Sequence, residues 1–203
     1  MRRRADTALI ERALAGDADA FESLIYLHQD PVYGLCFRML GNREDAEEVA
    51  ASVFMNAFRA LRSFRQEAAF GTWLYRIAAN LSKNKLRALS RRPRAFSLDG
   101  VSGEDEPGPM ELPSPAPQPD EQTETRELSD RVEAALLRLS PAEREILLLR
   151  DAQGLPYEEI GKALEVPAGT VKSRLSRARL ALAGLLRSGE GAQDVERMGR
   201  SGV

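Results

Sequence analysis

Residues 155–179 read Leu155-Pro-Tyr-Glu-Glu-Ile-Gly-Lys-Ala-Leu-Glu-Val-Pro-Ala-Gly-Thr-Val-Lys-Ser-Arg-Leu-Ser-Arg-Ala-Arg179. Ile160, Ala163 and Leu164 make one apolar stripe at helical spacing, and Val171, Leu175, Ala178 and Leu182 make a second. Between them Pro167 and Gly169 forbid one continuous rod, and Val166 supplies an apolar plug for the angle between two helices. The pattern predicts a helix-turn-helix. From Ala168 to Arg187 the basic residues are Lys172, Arg174, Arg177, Arg179 and Arg187, with no acid among them. Such a face attracts phosphate and can aim Arg or Lys at guanine edges in a major groove. A solvated amphipathic helix can carry the same charges, but the break and its plug favour DNA, and so transcription rather than metabolism.

Working outward, 203 residues suffice for one domain or two small ones, and 43% hydrophobic with 30% charged residues allows packed cores. The net charge of −2 is a poor match to nucleic acid until it is partitioned. Residues 1–92 carry +4, 93–127 carry −7, 128–187 carry +2 and 188–203 carry −1. Seven of the eleven prolines fall within 93–125, beside Gly100, Gly103, Gly108 and a string of acids. That composition predicts a disordered, acidic Pro-rich linker over 93–125, its ends roughly 30 Å apart as a flexible coil.

Either side of it the punctuation is helical, and nothing alternates with period two, so the expected fold is all-α. The expected division is a first helical domain over 1–92, a second over 126–187 containing the helix-turn-helix, and a fraying tail over 188–203. In the first domain, Gly16 ends one short stripe, Pro31 is read as the first residue of a new helix, and Asn42 caps a helix whose first turns hold Glu44, Asp45, Glu47 and Glu48. Another helix is expected from Phe70 to Leu89 with Trp73, Leu74 and Ile77 inward. In the second domain, Ser140-Pro141-Ala142-Glu143 is a capping box, and Gly154 ends the helix it opens.

Cys36 and His28 are the only residues of their kinds, which excludes an internal disulfide and argues against a Cys/His zinc site. They are read as a buried small hydrophobe and a helix-surface residue. No Gly-rich phosphate loop and no Ser/His/Asp arrangement is present, so no catalysis, cofactor or metal is expected. No apolar run is long enough to cross a membrane, and the start Met1-Arg-Arg-Arg lacks a signal-peptide core, which predicts a cytoplasmic chain without membrane insertion.

Residues 64–92 concentrate aromatic and basic side chains: Phe64, Arg65, Phe70, Trp73, Arg76, Lys83, Lys85 and Arg87, with no acid from Arg76 to Arg92. A positive track beside stackable rings suits single-stranded nucleic acid. Phe70 and Trp73 could equally be core.

The strings Asp17-Ala-Asp-Ala-Phe-Glu, Pro31-Val-Tyr, Asp45-Ala-Glu-Glu-Val, Phe64-Arg-Gln-Glu-Ala-Ala-Phe-Gly-Thr-Trp-Leu-Tyr-Arg-Ile-Ala-Ala-Asn80 and Gly169-Thr-Val-Lys-Ser-Arg-Leu-Ser-Arg-Ala-Arg179 together resemble the bacterial extracytoplasmic-function sigma factors. The resemblance spans 6–92 and 123–187. It implies a promoter-specificity subunit of RNA polymerase, without catalysis of its own, that recognises and helps melt DNA. By resemblance, the loop at Phe64, Arg65, Gln66 and Ala68 holds a flipped base of the minus-ten element, with Phe70, Trp73, Arg76, Asn80 and Lys83 along the strand. Thr170, Lys172, Ser173, Arg174, Arg177 and Arg179 match the minus-thirty-five positions. Asp45, Glu48, Val49, Ser52, Val53 and Asn56 match the surface that docks on core polymerase, with the coiled coil and flap of the large subunit as partners. Duplex and single-stranded promoter DNA and an anti-sigma factor complete the expected partners. Ala51-Ser52 stands where the family usually has Gln followed by an acid, Pro156 replaces a usual capping Ser, and Ser176 stands where some members carry a bulky residue.

Three other readings make different predictions. A stand-alone helix-turn-helix regulator would bind promoters without polymerase, an adaptor would tolerate loss of Arg174 and Arg177, and an enzyme would need chemistry the sequence lacks.

Overall fold

A computed structural model describes the backbone of residues 2–91 and 119–200, with side chains described for 6–91 and 126–188. Eight α-helices and no strand occur among them: α1 Arg2–Leu14, α2 Ala18–Leu40, α3 Arg43–Ala60, α4 Phe70–Arg91, α5 Pro119–Arg138, α6 Pro141–Leu147, α7 Tyr157–Leu164 and α8 Ala168–Arg200. The linker expected over 93–125 falls mostly outside the described residues, and its last residues, from Pro119, already belong to α5.

Local chemistry sets several of the helix ends. Asp17 accepts the Ala20 amide at 3.2 Å to open α2, and Asn42 accepts the Asp45 amide at 2.9 Å to open α3. Ser140 and Glu143 exchange the two bonds of a capping box at the start of α6. Gly41, in the left-handed region at φ +71°, closes α2 with its N–H on Phe37 O at 2.7 Å.

Pro31 does not open a new helix; it lies inside α2. An interior proline costs about 3 kcal/mol, yet one buried stripe continues through it. Leu24, Val32, Leu35 and Met39 are each 1% exposed or less. Each such side chain contributes roughly 1.5–3 kcal/mol on burial, so the stripe outweighs the proline.

Helices α1–α4 pack around Leu24, Leu35, Met39, Val53 and Leu74. Helices α5–α8 pack around Leu136, Ile146, Leu149, Ile160 and Leu175. α6 runs into a π turn over Leu148–Ala152, closed at Gly154 with φ +67°. Pro156 occupies the N-cap of α7, with no side-chain cap bond. α8 extends as helix beyond residue 188, to Arg200.

The two helix groups touch. α4 meets α7, and the end of α2 meets α5 and α6. A β-carbon at Gly41 would fall 2.6 Å from Leu137 Cδ1, so this position closes α2 and also admits Leu137 from α5. The buried guanidinium of Arg144 donates to Leu136 O at 2.8 Å, Leu137 O at 2.5 Å and Leu139 O at 3.2 Å at the end of α5, and to Met39 O near the end of α2. One cation thereby serves the carbonyl ends of two helices, where positive charge is favoured.

Candidate nucleic-acid interface

The loop between α3 and α4 begins with a 3-10 turn at Leu61–Ser63 and turns sharply at Gln66, whose φ of +56° is uncommon for a side-chain-bearing residue. Arg65, Gln66 and Glu67 are exposed at its tip, and Ala68 is half-buried. Beneath it three rings pack edge to face or tilted: Phe64 to Trp73 at 5.0 Å, Phe64 to Phe70 at 5.6 Å and Phe70 to Trp73 at 5.6 Å. Phe70 is 2% exposed and is core, whereas Phe64 and Trp73 each keep a face at the surface. Trp73, Arg76, Asn80 and Lys83 follow at three- and four-residue spacing and so share one side of α4.

Helix α7 lies against that side. Phe64, Ala68, Trp73 and Arg76 face Lys162 and Glu165 across a cavity of about 470 Å³. Arg76 pairs with Glu165 at 3.6 Å, and Lys162 Nζ donates to Glu67 O at 2.7 Å. Further along, Lys83 donates to both carboxylate oxygens of Glu145, each at 2.9 Å. Lys85 points elsewhere, donating to Glu48 at 2.5 Å and Asp45 at 2.9 Å on α3, and these carboxylates hold its ammonium above the usual lysine range. The basic track of α4 is thus divided between carboxylates of α3 and of α6 and α7.

On the helix-turn-helix, Ile160, Val171, Leu175 and Ala178 are buried, at 1% exposure or less. A β-carbon at Gly161 would sit 2.8 Å from Val166 O, so glycine there lets the turn close over α7. Burial of one face of α8 turns Lys172, Ser173, Arg174, Arg177 and Arg179 outward, with Thr170 half-buried at its start. Ser173 Oγ donates to Thr170 O at 3.0 Å. Arg179 is held by Asp151 at 2.5 Å, which raises its pKa. Lys172, Arg174 and Arg177 have no ion-pair partner among the described residues.

Of the six residues expected to dock on polymerase, Val49 and Val53 are instead core, 5% and 0% exposed, because they form the seam of α3 against α2 and α4. Asp45, Glu48, Ser52 and Asn56 keep surface, beside the strongly exposed Met55 and Phe58, which the sequence reading left out. His28 is likewise not on the surface: it is 4% exposed and bonds Asp6 at 3.2 Å. Glu145, Lys162 and Glu165 were absent from the expected sites, since their partners lie 62 to 95 residues away or on another helix group. No group of potential metal ligands occurs among the described residues, and no helix there is long and apolar enough to cross a membrane.

Two family models match the chain: "Sigma-70 region 2" over residues 24–92 and "Sigma-70, region 4" over 129–182. The ECF RNA polymerase sigma-E factor of Escherichia coli strain K12 is 38% identical over 177 residues, covering 87% of this chain and 92% of that one. Among solved structures, CnrH in complex with the cytosolic domain of CnrY superposes with a TM-score of 0.65 at 25% identity, covering 91% of this chain and 98% of that one. The sigma factor RpoE of Bartonella quintana, in complex with the anti-sigma factor NepR, gives 0.61 at 24% identity, covering 82% and 96%. With both regions present in order and a relative of this identity matched over nearly its whole length, the chain belongs to the extracytoplasmic-function sigma factors, specificity subunits of RNA polymerase that perform no catalysis themselves.

Proposed function

We propose that this chain positions polymerase through residues 168–179 on the minus-thirty-five duplex and opens DNA through residues 64–83 at the minus-ten element. The observation that carries this reading is the coexistence of two unlike surfaces on one chain. Lys172, Arg174 and Arg177 stand free on the helix-turn-helix, a geometry suited to a major groove. Phe64 and Trp73 form a partly open ring pair under an exposed loop, a geometry suited to an unstacked base. Extruding a base costs a few kcal/mol, and stacking on rings returns roughly 1–3 kcal/mol per base. Arg76, Asn80 and Lys83 add contacts to the strand, so capture of the opened strand holds the bubble.

Core polymerase docks on the outer face of α3 through Asp45, Glu48, Ser52 and Asn56, with Met55 and Phe58 adding apolar area. The acidic segment between the helix groups lets them separate on DNA. α7 covers the loop cavity in the free chain, so promoter reading requires α4 and α7 to part. The chain works in the cytoplasm, and an anti-sigma factor that holds the helix groups together would silence it; the similar CnrH, solved in complex with the cytosolic domain of CnrY, supports such a partner.

Run-off transcription with purified core polymerase tests the reading. Adding the chain gives new promoter-specific starts that vanish when Arg174 and Arg177 are both changed to Ala. Absence of any new start, together with specific duplex binding by the chain alone, would mark a stand-alone regulator instead.

A further inference from the structure

Behind the minus-ten loop lies a polar pair that the proposed function does not use. His28 and Asp6 are 4% and 5% exposed, and His28 Nε2 lies 3.2 Å from Asp6 Oδ1. Burying an imidazole and a carboxylate costs more than burying two apolar side chains of similar size, so the pair is not explained by stability. Its placement suggests another role. The imidazole meets the Phe70 ring edge to face, with centroids 5.4 Å apart and planes at 71°. The ring's Nδ1 and Cε1 lie against the backbone of Gly71, within 3.5 Å of where a β-carbon would stand.

Phe70 and Gly71 are the first two residues of α4, so the histidine abuts the point where the loop becomes helix. A hydrogen bond at Nε2 fixes the rotation of the imidazole about its long axis. That in turn fixes which edge faces Gly71 and how the ring meets Phe70. Phe70 then packs on both Phe64 and Trp73. The contacts form one path from Asp6 on α1, through His28 on α2, to the two partly exposed rings of the loop.

We infer that His28, held by Asp6, is a positioning residue for minus-ten recognition, setting the tilt of Phe70 and through it the Phe64–Trp73 gap. The inference rests on the proposed minus-ten role of that loop. An apolar residue at 28 would fill the volume without choosing a ring orientation, so the domain would remain packed while the gap loses definition.

Trp73 is the only tryptophan, so emission of the free full-length chain reports this cluster directly. The test combines that signal with binding by the chain assembled on core polymerase, using one fork DNA bearing only a minus-ten element and one duplex bearing only a minus-thirty-five element. His28→Leu and Asp6→Ala are expected to shift Trp73 emission and weaken minus-ten binding about tenfold, the scale of one aromatic contact, with minus-thirty-five binding unchanged. Asp6→Asn, which still accepts from the imidazole, restores most of both. If His28→Leu does not fold, the contrast between Asp6→Ala and Asp6→Asn decides.

Unchanged emission and minus-ten binding in His28→Leu overturn the inference, as does an equal loss at both elements, which marks a purely structural pair. A parallel Phe64→Ala variant separates this from the underlying reading. If that variant loses minus-ten binding while His28→Leu does not, only the positioning role fails; if neither loses it, the loop is not the minus-ten site and both fall.

Discussion

Lys83 on α4 and Glu145 on α6, 62 residues apart, form a two-pronged ion pair with the carboxylate 6% and the lysine 24% exposed. On the proposed minus-ten reading, a DNA phosphate would have to displace this carboxylate from the lysine, so closure of the chain and strand binding would compete for the same ammonium. Removing one partner of a shielded pair leaves the other poorly solvated and weakens the packing that relied on it. Glu145→Gln should therefore raise the free chain's affinity for single-stranded minus-ten DNA about tenfold, equivalent to ~1.4 kcal/mol of lost closure. Fluorescence anisotropy with a labelled oligonucleotide measures it, and an unchanged Kd would show that the pair does not restrain the strand site.

Arg174 and Arg177 project from α8 with no competing carboxylate among the described residues, unlike Arg179, which Asp151 engages. Each change to Ala should cost roughly 1–3 kcal/mol in minus-thirty-five binding if it meets a base edge. Arg179→Ala should cost less, because its guanidinium must first leave Asp151. Gel shifts over a salt series distinguish a phosphate contact, which flattens the salt slope, from a base contact, which relaxes sequence preference.

Gly161→Ala places a methyl 2.8 Å from the Val166 carbonyl, a backbone atom with no rotamer to yield. The expected loss is about 1–3 kcal/mol, the scale of overpacking, which pries the turn open. Thermal unfolding should show a lowered Tm, together with weaker minus-thirty-five binding. A wild-type Tm and affinity would mean the turn relaxes freely.

Burial pushes the Cys36 thiol up to about 11, with a Ser82 contact opposing. At pH 8 almost none is thiolate, so alkylation of the native chain should be far slower than that of an exposed cysteine and should accelerate on unfolding. The sign for stability follows from a folded-state value raised above the unfolded one: the contribution is complete below the unfolded value and is lost as pH rises towards 11. Timed alkylation with and without denaturant checks the first part, and rapid modification of the native chain would contradict the burial.

Several features were legible because one short stretch decides each. Asn42, Ser140 and Gly154 cap or close helices through bonds spanning a few residues, and the stripes at 160–164 and 171–182 mark two faces directly. Pro31 misled because a local rule met a long buried stripe. The helical spacing of Val49 and Val53 marks them as seam, where they lie, while only the family likeness puts them on the docking surface. His28 with Asp6, and Lys83 with Glu145, leave no local trace, since each pair is made only when distant helices meet.

Arg144 gives the carbonyl cluster at the ends of α2 and α5 a meaning for inheritance. Its guanidinium draws on Met39 from one family region and on Leu136, Leu137 and Leu139 from the other. A chimera joining the first four helices of one relative to the last four of another would have to present those oxygens in the same register around a single cation. Where it did not, a desolvated guanidinium would be left short of acceptors, so in their closed form the two halves of this chain are not interchangeable parts but a matched pair.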